Sequence, residues 1–364
     1  MQWSQKGKAS VIIGGQFGSE GKGGIAAYLA TLGGFDIATT NAGAQAGHTT
    51  RYANGRKFIC FHLPTTGVVQ RDTGCTSYIN AGSIIDVEAF MKERIDCDMT
   101  DANVYIHPNA AVISNDDKAA EREFASSTMK IASTQKGVGA AIANKIMRRS
   151  RTAKDNSDFL FEFVKKIDLN KRLAAGDSIV VEVPQGTGLS LNHSGFYPYT
   201  TSRDCWVGSG MQDAGIHPSF LGPVCMVVRT FPIRVGNLTN EFDEQIGTSG
   251  PFYPECAELN WARDFPGIEP ERTTVTKRVR RIASWSHNQY EDALRLNRPN
   301  IVALTFCDYL KSADAFVTMI HNMEERESRV GLHGVQHLYT FGPCVEDVTT
   351  DFGTALMWYR NRSW

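Results

Sequence analysis

The residues with chemical promise come early. A short apolar run leads straight into Gly14-Gly15-Gln16-Phe17-Gly18-Ser19-Glu20-Gly21-Lys22-Gly23-Gly24. Glycines let backbone N–H groups approach phosphate oxygens, a helix starting there adds the positive end of its dipole, and Lys22 supplies a mobile cation. That combination is a cradle for nucleotide phosphates. It departs from the common P-loop, whose G-x-x-x-x-G-K spacing would need glycine where Gln16 stands and a Mg²⁺-binding hydroxyl where Gly23 stands. Taken alone, the stretch also fits an ordinary glycine-rich strand-to-helix turn. A second stretch, Asn41-Ala42-Gly43-Ala44-Gln45-Ala46-Gly47-His48-Thr49-Thr50, sets one histidine among small residues, and Phe61-His62-Leu63-Pro64 follows. A lone loop histidine is more often structural than catalytic. Lys277-Arg278-Val279-Arg280-Arg281, read by itself, is a solvated basic face or a nucleic-acid patch.

Loops of this kind need a scaffold. Apolar runs alternate with helix-period segments from end to end, the rhythm of an α/β fold. Strands are expected at Ser10–Ile13, Lys57–Leu63, Val104–His107, Ser178–Val183, Val224–Thr230, Ile301–Phe306 and His337–Phe341. They are rich in Val, Ile, Phe and Tyr, and several lack polar alternation, which suits a sheet covered on both faces. Helices are expected at Gly23–Ala30, Lys118–Phe124, Ala140–Arg149, Phe159–Lys165, Asn288–Leu296 and Tyr309–Glu324. No repeat or linker divides the chain, so residues 1–364 are expected as one domain. Residues 236–272, dense in Gly, Pro and acidic residues, are its irregular excursion.

Composition narrows the function. The chain carries 38 Lys+Arg against 39 Asp+Glu, for a formal charge of −1, which argues against a coat for a polyanion or an acidic membrane. At 42% hydrophobic residues it is too apolar for a disordered chain. Its eight cysteines include no C-x-x-C pair, so neither a zinc knuckle nor a redox dithiol is suggested, and reduced thiols are expected. No run approaches the roughly 18 apolar residues of a spanning helix, and none reads as a signal peptide. A cytoplasmic protein acting on small molecules, with neither nucleic acid nor membrane as partner, is the expectation.

Together the two loops resemble the adenylosuccinate synthetase family, whose signatures read roughly G-x-Q-W-G-D-E-G-K-G-K and N-A-G-H-T. Ser133-Thr134-Gln135-Lys136-Gly137-Val138-Gly139 resembles T-T-G-R-G-I-G, and Glu182-Val183-Pro184-Gln185-Gly186 resembles E-G-A-Q-G. Tyr197-Pro198-Tyr199-Thr200-Thr201-Ser202 is similar to Y-P-F-V-T-S, and Thr276-Lys277-Arg278-Val279-Arg280-Arg281 to T-G-R-P-R-R. These matches are collinear and span nearly the whole chain.

The resemblance implies a P-loop-NTPase-like, mostly parallel central sheet covered by helices, with irregular insertions. It also implies a ligase, with Mg²⁺ as cofactor. Such an enzyme moves the γ-phosphate of a nucleoside triphosphate onto O6 of a purine nucleotide, after which the amine of L-aspartate displaces phosphate. O6 must then be made nucleophilic and the charge on the migrating group neutralised. By position, His48 matches the histidine that donates to the phosphoryl oxygen, Lys22 contacts phosphate, and Ser19 and Gln185 complete the catalytic set. The Gly47 carbonyl and, more weakly, Ser19 fall on Mg²⁺-ligand positions. Thr134, Gln185 and Thr201 match residues holding the substrate's 5'-phosphate and sugar, with Ser19, Gln45 and Ala46 beside the same nucleotide. In the family an arginine crossing a two-fold axis completes that phosphate site, which implies a homodimer; Arg148 or Arg149 is the candidate. Arg278 and Arg280, with Thr276, would hold the aspartate carboxylates, a task for guanidinium forks. The triphosphate would lie against Gly18, Glu20, Gly21, Lys22, Gly23, Gly47, His48, Thr49 and Arg280, and its base against Phe306, Asp308, Thr340, Gly342 and Pro343.

Departures from the pattern carry the specificity argument. Ser19 stands where the ordinary family has an aspartate that takes the proton from purine N1 and contacts Mg²⁺. Serine is no base near neutral pH and a poor metal ligand beside a carboxylate. Either the chain is a degenerate nucleotide-binding protein, or it is a synthetase on IMP and GTP with another proton route, or its substrate differs. Guanine adds an amino group beside N1, and a small hydroxyl there leaves room for it. The replacement resembles the bacteriophage branch of the family, which converts dGMP to 2-amino-2'-deoxyadenylosuccinate for diaminopurine DNA. Thr305-Phe306-Cys307-Asp308 replaces T-K-L-D, so the lysine that packs on guanine of GTP is gone and ATP or dATP is the expected donor. Val345 stands where an arginine is usual, and Gly24 replaces the loop's second lysine. Glu20, a phosphate oxygen and water all remain open as the acceptor of the N1 proton.

Overall fold

The computed structural model describes residues 2–100, 102–127, 131–132, 134–156, 160–242, 244–273 and 277–361. Nine strands form its central sheet: β1 (Ala9–Gly14), β2 (Ile37–Thr40), β3 (Thr76–Ile79), β4 (Val104–Ile106), β5 (Ile179–Glu182), β6 (Leu221–Arg229), β7 (Ile301–Thr305), β8 (Gln336–Thr340) and β9 (Val348–Thr349). Their order in space is β9-β8-β7-β6-β1-β5-β2-β3-β4. Every neighbouring pair is parallel except β8 with β9.

Alternation of side chains across the sheet sorts the core into two layers. Val11 and Ile13 of β1, Val181 of β5 and Met226 and Val228 of β6 face one cluster, whose other side comes from α3 (Val207–Ala214), α4 (His287–Asn297), α5 (Ala313–Arg329) and α6 (Phe352–Arg360). Ile12, Val180, Cys225 and Val227 face the opposite cluster, closed by Ile25, Ala26 and Leu29 of α1 (Lys22–Leu32). Both faces of β1 are therefore sealed, and all six of its residues are buried. The expected α/β class and mostly parallel sheet are what the chain forms.

Several expected elements need correction. Lys57–Leu63 is not a sheet strand: Lys57–Cys60 pairs antiparallel with His48–Arg51 in a separate hairpin. The backbone N–H groups of Phe61, His62 and Leu63 are then drawn off by the buried carboxylate of Glu93. Of the helix expected at Phe159–Lys165, Leu160 is helical and the helix goes no further, because β4 claims the backbone beyond it: Ile106 N–H donates to the Phe163 carbonyl at 2.7 Å and Lys165 N–H to Ile106 at 3.0 Å. The helix expected to run to Arg149 is α2 (Val138–Ile146), which ends short of Arg148, a residue at φ 60°. Cys307–Tyr309 is a tight turn, and α5 begins after Ser312, whose hydroxyl accepts from Ala315 N–H. Three sheet strands, β2, β3 and β9, were not anticipated. Residues 236–272 include a hairpin of Leu238–Thr239 with Gln245–Gly247 and the edge strand Glu258–Leu259.

Candidate active site

Strand β1 lies where the chain's connections diverge to either side, the position at which open parallel sheets bind ligands beyond their carboxyl ends. The glycine loop leaves β1 there. Its path is tight: a Cβ at Gly14 would stand 2.5 Å from the Gln185 carbonyl oxygen, and one at Gly186 would stand 2.4 Å from Glu20. Gly21, at φ 84°, precedes α1, which has neither a capping side chain nor an acidic residue in its first turn, so its positive end is uncompensated. Glu20 is fully buried. Its carboxylate accepts from Gly18 N–H at 2.7 Å and Gln16 N–H at 3.2 Å, and pairs with Lys22 Nζ at 2.7 Å. Lys22 also donates to the Gln185 carbonyl. Glu20 is thus a strut of the loop, its carboxylate engaged by two backbone N–H groups and by Lys22.

Ser19 is exposed and held at φ 60°. Its hydroxyl accepts from Arg280 and its carbonyl from Arg229 NH1, the latter at 3.2 Å. Arg229, at the end of β6, is fully buried. It pairs with Glu271, lies 3.8 Å over the Phe306 ring, and exchanges hydrogen bonds with the Gln16 amide at 3.0 and 3.1 Å. Tyr309 donates to Glu271 at 3.0 Å. Burial raises the Glu271 carboxyl, but the Arg229 charge and hydrogen bond outweigh it and hold it below its ordinary value. Phe306 therefore covers an internal cation.

The second loop packs on the first. A Cβ at Gly23 would stand 2.6 Å from the Thr49 carbonyl oxygen, and Thr50 Oγ1 donates to Gly23 at 3.1 Å. His48 is nearly enclosed, and burial followed by the Lys22 charge pushes its pKa down to about 3, so the ring is neutral. Its Nε2 has no partner, and its Nδ1 lies 4.0 Å from Glu182, which two backbone N–H groups of Thr65 and Thr66 already hold. Asn41 Oδ1, Gln45 Oε1 and the Nε and NH2 groups of Arg203 are likewise buried and unpaired. Those of Asn41, Gln45 and His48 lie on one loop, and Arg203 reaches it by donating to the Asn41 carbonyl.

The remaining expected residues are distributed as follows. Gln185, at φ 64°, follows β5 and its amide oxygen accepts from the Cys205 thiol at 3.4 Å. Thr201 N–H donates to Leu189 at 2.9 Å. Thr134 is half-buried, and Arg148 and Arg149 are exposed beyond α2. Arg278 donates to the Gly236 carbonyl at 3.3 Å; Thr276 lies outside the described residues. Phe306 N–H donates to Thr340 Oγ1 at 3.3 Å, Asp308 is half-buried, and Gly342 packs on Asp347 beside exposed Pro343. Ala46 N–H donates to Gly43 at 3.3 Å. For Mg²⁺ the Gly47 carbonyl is a fitting oxygen donor. Ser19 is not, since a guanidinium occupies its hydroxyl. No cluster of three acidic, His or Cys ligands exists among the described residues.

Arg229, Glu271 and Arg203 were not singled out from sequence. The one signal was an arginine closing the apolar run Val224-Cys225-Met226-Val227-Val228-Arg229, where a charge must find a buried partner. The eight cysteines are unpaired, and no described helix is long and apolar enough to cross a membrane.

A glycine loop and a neutral histidine at the carboxyl ends of a parallel sheet define a nucleotide-dependent enzyme fold. The chain belongs to the adenylosuccinate synthetase family, whose profile matches residues 11–168 and 161–330. It is 37% identical over 366 residues to the N6-succino-2-amino-2'-deoxyadenylate synthase of Salmonella phage PMBT28, covering 94% of this chain and 98% of the relative. It is 36% identical to the enzyme of the same name from Vibrio phage phiVC8, covering 93% and 96%. The structure of cyanophage S-2L succinoaminodeoxyadenylate synthetase (PurZ), bound to dGMP and to dATP as an energy donor, superposes with a TM-score of 0.83 at 29% identity, covering 98% of this chain and 99% of that one.

Proposed function

We propose that this chain joins L-aspartate to C6 of dGMP, with ATP or dATP converted to its diphosphate and phosphate, giving 2-amino-2'-deoxyadenylosuccinate. Ser19 carries the proposal: an exposed hydroxyl, pinned by Arg280, occupies the place of the family's carboxylate and leaves space beside N1 for a 2-amino group. In the first step O6 bonds to the γ-phosphorus as the bond to the diphosphate breaks. His48, neutral, donates one N–H to the phosphoryl oxygen, and Lys22 leaves Glu20 to follow the charge. In the second step the amine of aspartate bonds to C6 and inorganic phosphate departs. Arg278 and Arg280 orient the aspartate carboxylates, and Thr134, Gln185 and Thr201 the nucleotide's phosphate and sugar. The N1 proton passes to a phosphate oxygen or to water. Mg²⁺, held by the Gly47 carbonyl and chiefly by phosphate oxygens, would neutralise charge on the triphosphate. Arg148 or Arg149 reaches a second copy of the chain in a homodimer, a reading supported by exposed Ile146 (75%) and Met147 (50%) beside them.

The test compares phosphate release with dGMP and with IMP, each with aspartate, dATP and Mg²⁺, for the wild type and Ser19→Asp. The wild type should turn over dGMP at least tenfold better, and Ser19→Asp should shift the ratio towards IMP. Turnover of IMP alone by the wild type overturns the proposal.

A further inference from the structure

Arg203 follows directly on Tyr197–Ser202, the stretch that includes Thr201. Its backbone is fixed on that side of the site. Thr201 N–H donates to the Leu189 carbonyl at 2.9 Å, Leu191 N–H to the Arg203 carbonyl at 3.1 Å, and Cys205 N–H to the Ser190 hydroxyl at 2.9 Å. From this base the guanidinium crosses to the other side. Its NH1 group donates to the Asn41 carbonyl, where β2 passes into the loop carrying Gln45 and His48, and to the Gly82 carbonyl beyond β3 at 3.0 Å. Stability does not account for this bridge. The Nε and NH2 groups are buried without partners, and burial works against the charge more than Asp213 of α3 favours it. The Asp213 carboxylate is itself engaged by Asn41 Nδ2 at 2.6 Å. An underpaired buried cation weakens a fold.

The two ends of the loop are held differently. Asn41 depends on Arg203 and Asp213. His48 has separate support: it pairs with Cys60 in the hairpin, and its neighbour Thr49 packs on Gly23 of the phosphate loop. Gln45 and Ala46 lie outside that hairpin. We propose that Arg203 is a positioning residue for the substrate nucleotide, acting through the Asn41 and Gly82 carbonyls to set the Gln45 side of its site against the Thr201 side. The proposal rests on the function given above. The donor triphosphate's side, built on the glycine loop and the His48 hairpin, is held without Arg203.

The experiment is steady-state kinetics of the full-length wild type, Arg203→Met and Arg203→Lys, varying dGMP at saturating dATP and then the reverse, with aspartate and Mg²⁺ in excess. Arg203→Met removes two charge-assisted hydrogen bonds and should raise KM for dGMP roughly tenfold or more. KM for dATP and kcat should stay within about twofold of the wild type, the pattern of lost ground-state positioning. Arg203→Lys keeps a cation without the planar fork and should fall between, at about threefold. A purely structural loss would lower the melting temperature and the active fraction, and so kcat, without raising one KM and not the other. Should Arg203→Met fail to fold, Arg203→Lys carries the same comparison. A KM for dGMP unchanged in the folded variants, or rising in step with that for dATP, overturns the proposal. A wild type active on IMP and not on dGMP refutes the function instead, and the same split is then read on IMP.

Discussion

Replacing Glu271 by glutamine keeps the shape of the Ser19 anchor and removes its charge. Arg229 has no exposure, and Glu271 is its ion-pair partner. Breaking one side of a buried pair typically costs about 3–5 kcal/mol, because the remaining charge stays in the interior. Glu271 is 20% exposed, and the guanidinium keeps the Phe306 face and the Ser19 carbonyl, so the expected loss lies at the low end, ~3 kcal/mol. Urea denaturation reads it as a fall in midpoint at unchanged slope. Arg229→Met on top of Glu271→Gln removes the stranded charge, so the two changes should couple by about 2 kcal/mol or more instead of adding. With the turn loosened, KM for dGMP should rise in the single variant. The charge also sets a pH signature. The Glu271 carboxyl is held below its ordinary 4.5 in the folded chain, so its contribution is complete above that value and is lost as pH falls through the lower one. Glu271→Gln should lack that acid-side loss. A cost under about 1 kcal/mol, or strict additivity with Arg229→Met, refutes the reasoning.

Two other perturbations follow from the same geometry. His48 titrates at about 3 against an ordinary 6.5, so unfolding takes up a proton between those values and the wild type loses stability as pH falls through them; at pH 5 the loss is about 2 kcal/mol. Melting temperatures from pH 8 to 5 should fall less for His48→Gln by that amount, and parallel curves would contradict a neutral buried ring. Gly23→Ala gains about 1 kcal/mol of helix propensity but drives a Cβ to 2.6 Å from the Thr49 carbonyl; it should lower stability by about 1–3 kcal/mol and raise KM for dATP, and a stabilised variant would show that the two loops do not touch.

The sequence displayed the two candidate loops because they are contiguous and their chemistry lies in residue type: glycines, a lysine, a histidine. It displayed the strands that are apolar on both faces, such as Val224–Thr230, for the same reason. It hid β2 and β3, whose Ile-Ala-Thr-Thr and Thr-Ser-Tyr-Ile carry hydroxyls, although most of those residues are buried. Thr40 is satisfied by the Glu182 carbonyl at 2.9 Å, a partner 142 residues away. The Arg229–Glu271 pair was hidden likewise, since its members lie on separate elements and neither is marked by a motif. Phe306 was noticed as an absence of positive charge, whereas its ring in fact shields a guanidinium that arrives from β6.

The carboxylate of Glu20 has a consequence for how the enzyme waits. An empty nest of amide protons next to a lysine would capture any stray oxyanion in the cell. Here the resting nest already houses a tenant tethered to the same chain, and the lysine is neutralised by it. On the function proposed above, a visiting triphosphate would have to evict rather than merely arrive, and a molecule with further grips, on base, sugar or metal, would be favoured in the exchange.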